Sequence, residues 1–395
     1  MPIISLPRML FIGKDSFSEF QEVLNDIKPE TVLIVTDKII RDLGLVNKVT
    51  ELLDSLGVKW GIFDKVEPEP SFETVKEGAK LAQELKPGLI ISIGGGSVID
   101  AAKSIWLLYE KPNYNLEELG PFEWLGLGEK AKLIAIPTTS GTGSEATFAM
   151  VLTKKEEKKK IAVGNYELVP YYSVVDPIFS STMPKKLTAS TGIDALTHAI
   201  EAYVSINSNP FTDALAEKAL ELIFAWLPRA YRDGSNIDAR EKVHTAATLA
   251  GISFSNSGLG LAHALGHSFG PIFGVPHGFS VGVFLPYVIL FNSNDEEVKR
   301  KYAMLGKIIG ASGSDIDSLF RDFMSKLVEL YKSVEAPLTV KDLGVKKEDY
   351  LNKLEVLINN AYEDPDVAFN PVMTSPEDLE KIFKRAYEGG LDDPL

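Results

Sequence analysis

Five histidines occur among the 395 residues, and four of them sit at spacings that could hold a metal ion. Asp194 and His198 are four apart in Gly192–Val204 (GIDALTHAIEAYV), where Ile193, Leu196, Ile200 and Tyr203 form an apolar helical face. Side chains at i and i+4 stack on one side of a helix, so this carboxylate and imidazole can share a divalent cation. His263 and His267 repeat the spacing in Leu261–Ser268 (LAHALGHS), and His277 follows on a Pro276-His277-Gly278 turn. Imidazoles with one carboxylate make a hard-to-borderline donor set that suits Fe(II), Zn(II), Co(II), Ni(II) or Mn(II). One Asp/His pair alone reads more readily as a surface ion pair. Two such pairs and the Pro-His-Gly turn favour a shared site.

A second group of residues could hold an anion. Leu89–Ile93 runs into Gly94-Gly95-Gly96-Ser97 and then Asp100, an order of strand, glycine turn and helix start. Such a turn aims backbone N–H groups and the positive end of a helix at a phosphate. Leu133–Ile136 ends in a comparable loop, Pro137–Glu145, rich in hydroxyls and glycines and containing Thr138, Thr139 and Thr142. Either loop alone could merely join a strand to a helix; together they point to a nucleotide. Asp37, at the end of Val32–Thr36, could accept a bond from a ribose 2′-OH and repel a 2′-phosphate, favouring NAD over NADP. It precedes the glycine loop, whereas the common fingerprint places the acid about 20 residues after it, and GxGxxG is absent. Gly258-Leu259-Gly260 lies too far into the helical half to count.

These loops need a parallel sheet to present them. Val32–Thr36, Lys59–Phe63, Leu89–Ile93 and Leu133–Ile136 are short apolar runs, separated by helix-like patterns at Leu43–Leu56 and Phe72–Leu85. Continuous apolar strands alternating with helices predict an α/β layer covered on both faces. Phe148–Thr153 and Ile161–Val163 predict a hairpin around the solvated run Lys154–Lys160 (KKEEKKK), and Ser173–Asp176 one more strand. Beyond Met183 strand signals fade. Pro184 and Thr188–Thr191 suit helix caps, and helices are expected at Gly192–Val204, Thr212–Leu227, Ala239–Phe254 and Glu296–Ile309. The predicted organisation is an α/β dinucleotide-binding domain over 1–183 and a helical metal-binding domain over 184–395.

Composition removes several classes. The net charge of −14 leaves no basic excess to offset nucleic-acid or anionic-membrane phosphates. With no cysteine, disulfides and thiolate metal sites are excluded. Met1–Phe20 has no basic segment followed by a long apolar run, so no signal peptide is expected, and no apolar stretch approaches the roughly 20 residues of a membrane span. A cytoplasmic setting is the expectation.

Long stretches in order give the chain a family. GGGSVIDAAK at Gly94–Lys103, IPTTSGTGSE at Ile136–Glu145 and TGIDALTHAIEAYVS at Thr191–Ser205 lead to GISFSNSGLGLAHALGHSFG at Gly251–Gly270 and GVPHGFSVGVFLPYV at Gly274–Val288. The chain resembles the iron-containing (group III) alcohol dehydrogenases over nearly its full length. The resemblance implies a dehydroquinate synthase-like dinucleotide domain, a helical domain and an active site in the cleft between them. It implies that Asp194, His198, His263 and His277 bind the metal, commonly Fe(II), and that His267 lies near the nicotinamide as a proton relay. Implied cofactor contacts are Asp37, Gly95, Gly96, Ser97, Asp100, Thr138, Thr139 and Lys160, to which Gly94 and Thr142 are added from their place in the two loops, and the implied assembly is a homodimer. His244 matches no site position and reads as structural or surface. Two departures stand out: Pro68-Glu69-Pro70 where relatives often read Pro-Asn-Pro, and Val372 after Asn370-Pro371 where relatives often have Arg.

The expected activity is hydride transfer between a small alcohol or aldehyde and a nicotinamide dinucleotide, with Phe148, Phe254 and Phe273 as pocket or core residues. Rivals are a polyol dehydrogenase of the same fold, usually with zinc, a dehydroquinate synthase-type lyase, and a metal-dependent phosphate-ester hydrolase. A pure binding protein leaves the clustered ligands unexplained. The absence of Tyr-x-x-x-Lys disfavours short-chain dehydrogenase chemistry.

Overall fold

The computed structural model describes residues 3–155 and 159–391, so the centre of the Lys154–Lys160 run lies outside the described residues. The chain divides into two units, one spanning Ile4–Met183 and the other joining Ile3 to the chain from Pro184 onward, so the first unit begins at Ile4 and not at the first residue as the expected 1–183 has it.

The first unit is built on six parallel strands: β1 (Met9–Ile12), β2 (Thr31–Val35), β3 (Lys59–Phe63), β4 (Leu89–Gly94), β5 (Lys132–Pro137) and β8 (Tyr172–Val175). Their order is β1-β8-β5-β4-β2-β3. β6 (Ala149–Lys154) and β7 (Lys159–Gly164) form a separate antiparallel hairpin. Helices α1 (Ser16–Ile27), α2 (Lys38–Asp42), α3 (Asn47–Ser55), α4 (Phe72–Leu85), α5 (Gly96–Glu110) and α6 (Pro177–Ser180) connect the strands.

The inner strands β2, β4 and β5 read as nearly unbroken apolar runs because both faces are covered. Leu33, Val35 and Ile90 pack with α4 and α5 residues such as Val75, Ala102 and Ile105. Val32, Ile34, Leu89 and Ile91 pack on the other face with Phe20, Val49 and Leu53. All six residues of β4 are buried. From β2 the chain runs outward to β3 and then returns to the other side of β2 as β4. The order therefore reverses between β2 and β4, and the crevice at the carboxyl ends of such strands is where open α/β sheets bind ligands. Asp37 follows β2 and the glycine turn follows β4, so both sequence features stand at that edge.

The second unit is helical: α7 (Lys185–Val204), α8 (Pro210–Arg232), α9 (Ile237–Ser257), α10 (Leu261–Phe273), α11 (His277–Gly282), α12 (Leu285–Asn292), α13 (Glu296–Ile308), α14 (Ile316–Ser333), α15 (Lys347–Asn352), α16 (Leu354–Tyr362) and α17 (Pro376–Glu388). Their apolar sides close one core that includes Ile193, Leu196, Leu227, Leu265, Phe284 and Phe323. α7 is buried along nearly all of its length from Thr188 to Val204, so it is a central helix rather than a surface one.

Several sequence expectations are corrected. Thr188–Thr191 lies inside α7 and caps nothing; Thr188 and Thr191 donate their hydroxyls back to the carbonyls of Pro184 and Leu187. His277 opens α11 instead of sitting on a turn. Leu43–Leu56 is not one helix, because Gly44 at φ +75° ends the first segment and α3 starts at Asn47. β1 and α1 were not anticipated. At the described ends of the charge run, Lys154 pairs with Glu117, Lys155 with Glu67 and Lys160 with Glu69.

Candidate functional site

α7 fixes the first half of the metal cluster. Asp194 and His198 lie one turn apart on it, both buried. α10 brings His263, and α11 brings His277 to the same place. The close approach of α11 depends on Gly278, because a Cβ there would stand 2.0 Å from the carbonyl oxygen of Ser190 on α7. Phe254 of α9 stacks on the His198 ring at 4.4 Å between centroids.

The result is three imidazole Nε2 atoms around one carboxylate oxygen. Asp194 Oδ1 lies 3.8 Å from His198 Nε2, 3.9 Å from His263 Nε2 and 3.4 Å from His277 Nε2. The two longer distances exceed hydrogen-bond range, and Asp194 Oδ1 makes no hydrogen bond among the described residues. Atoms bound at 2.0–2.2 Å to one tetrahedral centre would lie roughly 3.4 Å apart, so the spacing is that of ligands around a cation. Asp194 Oδ1 and His263 Nε2 are buried without a hydrogen-bond partner among the described residues, a costly state for polar atoms unless something else satisfies them. Burial pushes the Asp194 carboxyl up to about 8, with Glu201 adding to the rise and His267 opposing it. Burial also holds His263 well below the usual imidazole range. A neutral His263 beside the buried, unsatisfied Asp194 carboxyl fits a divalent cation. His277 is 39% exposed, so the cluster is open on that side.

His267 is placed differently. Its Nδ1 lies 3.0 Å from Asp364 Oδ2 and 3.7 Å from Asp366 Oδ2, forming a second His/Asp cluster beside the first. Its ring stacks on that of His277 at 5.4 Å. Asp364 caps the short 3-10 turn Pro365–Phe369 by accepting from the N–H of Asp366. Burial works to raise Asp364, but the bond to His267 and its charge hold it below the usual carboxylate range. Burial pushes Asp366 up to about 7 against the pull of His267.

In the α/β unit the two loops interlock. Thr138 N donates to the Gly94 carbonyl at 2.9 Å. A Cβ on Gly96 would stand 2.7 Å from Thr142 Cγ2, and one on Gly95 3.3 Å from Thr139. Only glycine lets the turn lie this close to the second loop. Thr138 Oγ1 is buried without a hydrogen-bond partner among the described residues, in the loop that bonds to the glycine turn. The residues fit a phosphate-bearing ligand.

Other predicted contacts have protein partners. Asp100 is buried and accepts from Ser144 Oγ at 2.5 Å and Val151 N at 3.0 Å. Asp37 caps α2 by accepting from Ile40 N at 2.9 Å. Ser97 Oγ accepts from Glu69 N at 3.4 Å, while the Glu69 carboxylate holds Lys160 Nζ at 2.6 Å. Glu69 thus does two things at the edge of the glycine turn. His244 is buried in α9. Phe148 packs on Tyr166, and Phe273 lines a cavity of about 660 Å³ with Lys186, Tyr231 and Asp342.

Sequence reading missed Glu201, Asp364 and Asp366. Glu201, three residues after His198 in α7, was within the quoted motif, but its partner His263 is 62 residues on. Asp364 is 97 residues from His267, and the Asp-Pro-Asp turn carried no signal of its destination.

Comparison with known proteins places these sites in a family. Residues 7–177 match iron-containing alcohol dehydrogenase, and residues 188–387 match its C-terminal region. A NADPH-dependent butanol dehydrogenase of Clostridium saccharobutylicum is 38% identical over 386 residues, covering 98% of both chains. The bifunctional aldehyde-alcohol dehydrogenase AdhE of Escherichia coli is 35% identical over 410 residues, and the chain, 97% covered, spans only 46% of it. Among solved structures, an alcohol dehydrogenase from Oenococcus oeni superposes with a TM-score of 0.91 at 32% identity, covering 98% of this chain and 100% of that one. With both its α/β and its helical unit matched, the chain belongs to the iron-containing alcohol dehydrogenase family.

Proposed function

We propose that the chain is a metal-dependent alcohol dehydrogenase that moves hydride between a small alcohol or aldehyde and a nicotinamide dinucleotide. The observation that carries this reading is the ring of three Nε2 atoms around the unsatisfied Asp194 oxygen. Asp194, His198, His263 and His277 would hold the cation, Fe(II) in line with the family, with zinc or another divalent metal also suited to the donors. When bound, such a cation supplies Lewis acidity that acidifies an alcohol or polarises an aldehyde.

The protein's own groups do the rest. Residues 1–183 form the dinucleotide domain, where Gly94, Gly95, Gly96 and Ser97 at the start of α5, with Thr138, Thr139 and Thr142, cradle the pyrophosphate. Lys103 and Asp100 hold these loops together from beneath, since Lys103 Nζ donates to Ser144 and to the Thr147 and Ala149 carbonyls. Residues 184–395 form the metal domain. His267, 29% exposed and aligned by Asp364, takes the alcohol proton in oxidation and returns it in reduction. The balance is one hydride to the nicotinamide and one proton to solvent for each alcohol oxidised. Asp37, at the crevice beside β4, supports NAD over NADP. The resemblance adds a homodimer and a cytoplasmic setting, and no described helix is long and apolar enough to cross a membrane.

Protein prepared anaerobically with Fe(II) tests the reading by absorbance at 340 nm, with NAD or NADP and short alcohols, and with reduced nucleotide and aldehydes. Metal-dependent turnover abolished in His263→Ala is expected. Silence in both directions with Fe(II), Zn(II), Co(II), Ni(II) and Mn(II) would overturn it.

A further inference from the structure

Glu201 is buried in α7 and touches the metal cluster through one of its ligands. Its Oε2 lies 2.5 Å from His263 Nδ1, and its Oε1 accepts the N–H of Ala262 at 2.6 Å. Both oxygens are therefore committed to the start of α10, one to the backbone and one to the ring. His263 is 1% exposed and its other nitrogen, Nε2, faces Asp194. Gly260 permits this contact. It precedes α10, and a Cβ there would stand 3.0 Å from Glu201 Oε1 and 3.2 Å from Asn370 Oδ1. The Gly258-Leu259-Gly260 motif, set aside as a nucleotide fingerprint, thus has its use here.

We infer that Glu201 is a positioning residue that locks the tautomer and orientation of His263 for metal capture. The inference rests on the metal reading above. A neutral imidazole carries one proton on one of its two nitrogens. A carboxylate at Nδ1 accepts that proton's hydrogen bond, which leaves Nε2 bare and turned to the cation site. The same carboxylate makes the ring more basic, so it donates more strongly. The second bond, from Ala262 N, stops the carboxylate from rotating away. His263 is the most buried of the three histidines, so the lock falls on the ligand that water reaches least.

The test uses the full chain, Co(II) as probe and competition with a chelator. Glu201→Gln should weaken Co(II) binding ten- to a hundred-fold. In metal-free protein with ¹⁵N-labelled histidine at pH 9, where the Glu201 carboxyl is ionised, the wild type should show His263 protonated at Nδ1. Glu201→Gln should shift that proton to Nε2, because the amide can donate to Nδ1; a residue with a merely structural role would not move it. Glu201→Asp, which keeps the carboxylate on a shorter arm, should restore part of the affinity. The inference alone is overturned if Glu201→Gln keeps wild-type Co(II) affinity and tautomer while His263→Ala loses the metal. Retention of Co(II) by His263→Ala would overturn the metal reading and this inference with it.

Discussion

Nδ1 of His267 lies 3.0 Å from Oδ2 of Asp364, a residue 97 positions later in the chain. The contact joins α10 to the turn after α16 and aligns an imidazole one helical turn from a metal-cluster histidine. If His267 relays the alcohol proton, its ring must be held and its charged form supported. Asp364→Asn keeps the shape and removes the charge. Turnover should fall at least tenfold, up to the roughly 10²–10⁴-fold that a positioned acid–base group supplies. The pH dependence of kcat should move while Co(II) affinity stays at the wild-type value. An unchanged pH profile would rule the relay out.

The buried acids set the pH dependence of the metal-free fold. Burial pushes Asp194 and Glu201 up to about 8 and Asp366 up to about 7. A carboxyl raised in the folded state contributes stability below its unfolded pKa and loses it as pH rises through the folded value. His263, held low by burial, works the other way, but only below the ordinary imidazole pKa near 6.5. From about pH 6.5 to 7.5, below the range in which the buried Lys103 loses its proton, the raised carboxyls set the sign, so the melting temperature of metal-free protein should fall. A saturating divalent cation should flatten that slope, since it stabilises the ionised Asp194. Asp194→Asn should melt higher than wild type at pH 8 without metal and gain nothing from adding it. A metal-free melting temperature that rises over this window would refute the assignment.

What the sequence disclosed depended on local periodicity. The strands β2, β4 and β5 were legible because they are apolar runs buried on both faces and bounded by Gly, Pro or Asp, and the edge strand β3 because it is a short run that ends in the buried Phe63. β1 was not, because it has only four residues, none of them fully buried, at the edge of the sheet. Thr188–Thr191 misled because threonine and serine favour caps, yet in a buried helix their hydroxyls are satisfied by the carbonyl one turn back. The pair Asp194/His198 was visible as an i,i+4 spacing. The contacts Glu201–His263 and Asp364–His267 were not, because tertiary packing alone brings them together.

Glu69 offers a test of the nucleotide groove. It adopts φ +60°, a left-handed conformation that asparagine tolerates better than glutamate. Its carboxylate pairs with Lys160, and its backbone N–H reaches Ser97. Glu69→Asn should relieve the backbone and release the lysine charge towards a dinucleotide phosphate. Binding of reduced nucleotide, followed by its fluorescence, should tighten severalfold, and NADPH should gain more than NADH. Equal affinities in mutant and wild type would show that Lys160 does not face the cofactor.

Lys103 is the buried cation beneath the two loops. It is fully buried and donates to the hydroxyls of Ser144 and Thr147 and to the carbonyls of Thr147 and Ala149. Desolvation lowers it to about 8, against the attraction of Asp100 and Glu145. The hydroxyl of Ser144 bridges it to Asp100, which also holds Val151 N. Lys103→Met would fill much of the same space but leave Asp100 buried without its counter-charge and two carbonyls without a donor. Breaking a buried pair from one side costs about 3–5 kcal/mol, and urea unfolding of the metal-free chain should show a loss of that order. The double variant Lys103→Met with Asp100→Asn should recover part of it, because the stranded charge is gone. If the single and double variants unfold alike, Asp100 is not what Lys103 neutralises, and the loops are held by the carbonyl bonds alone.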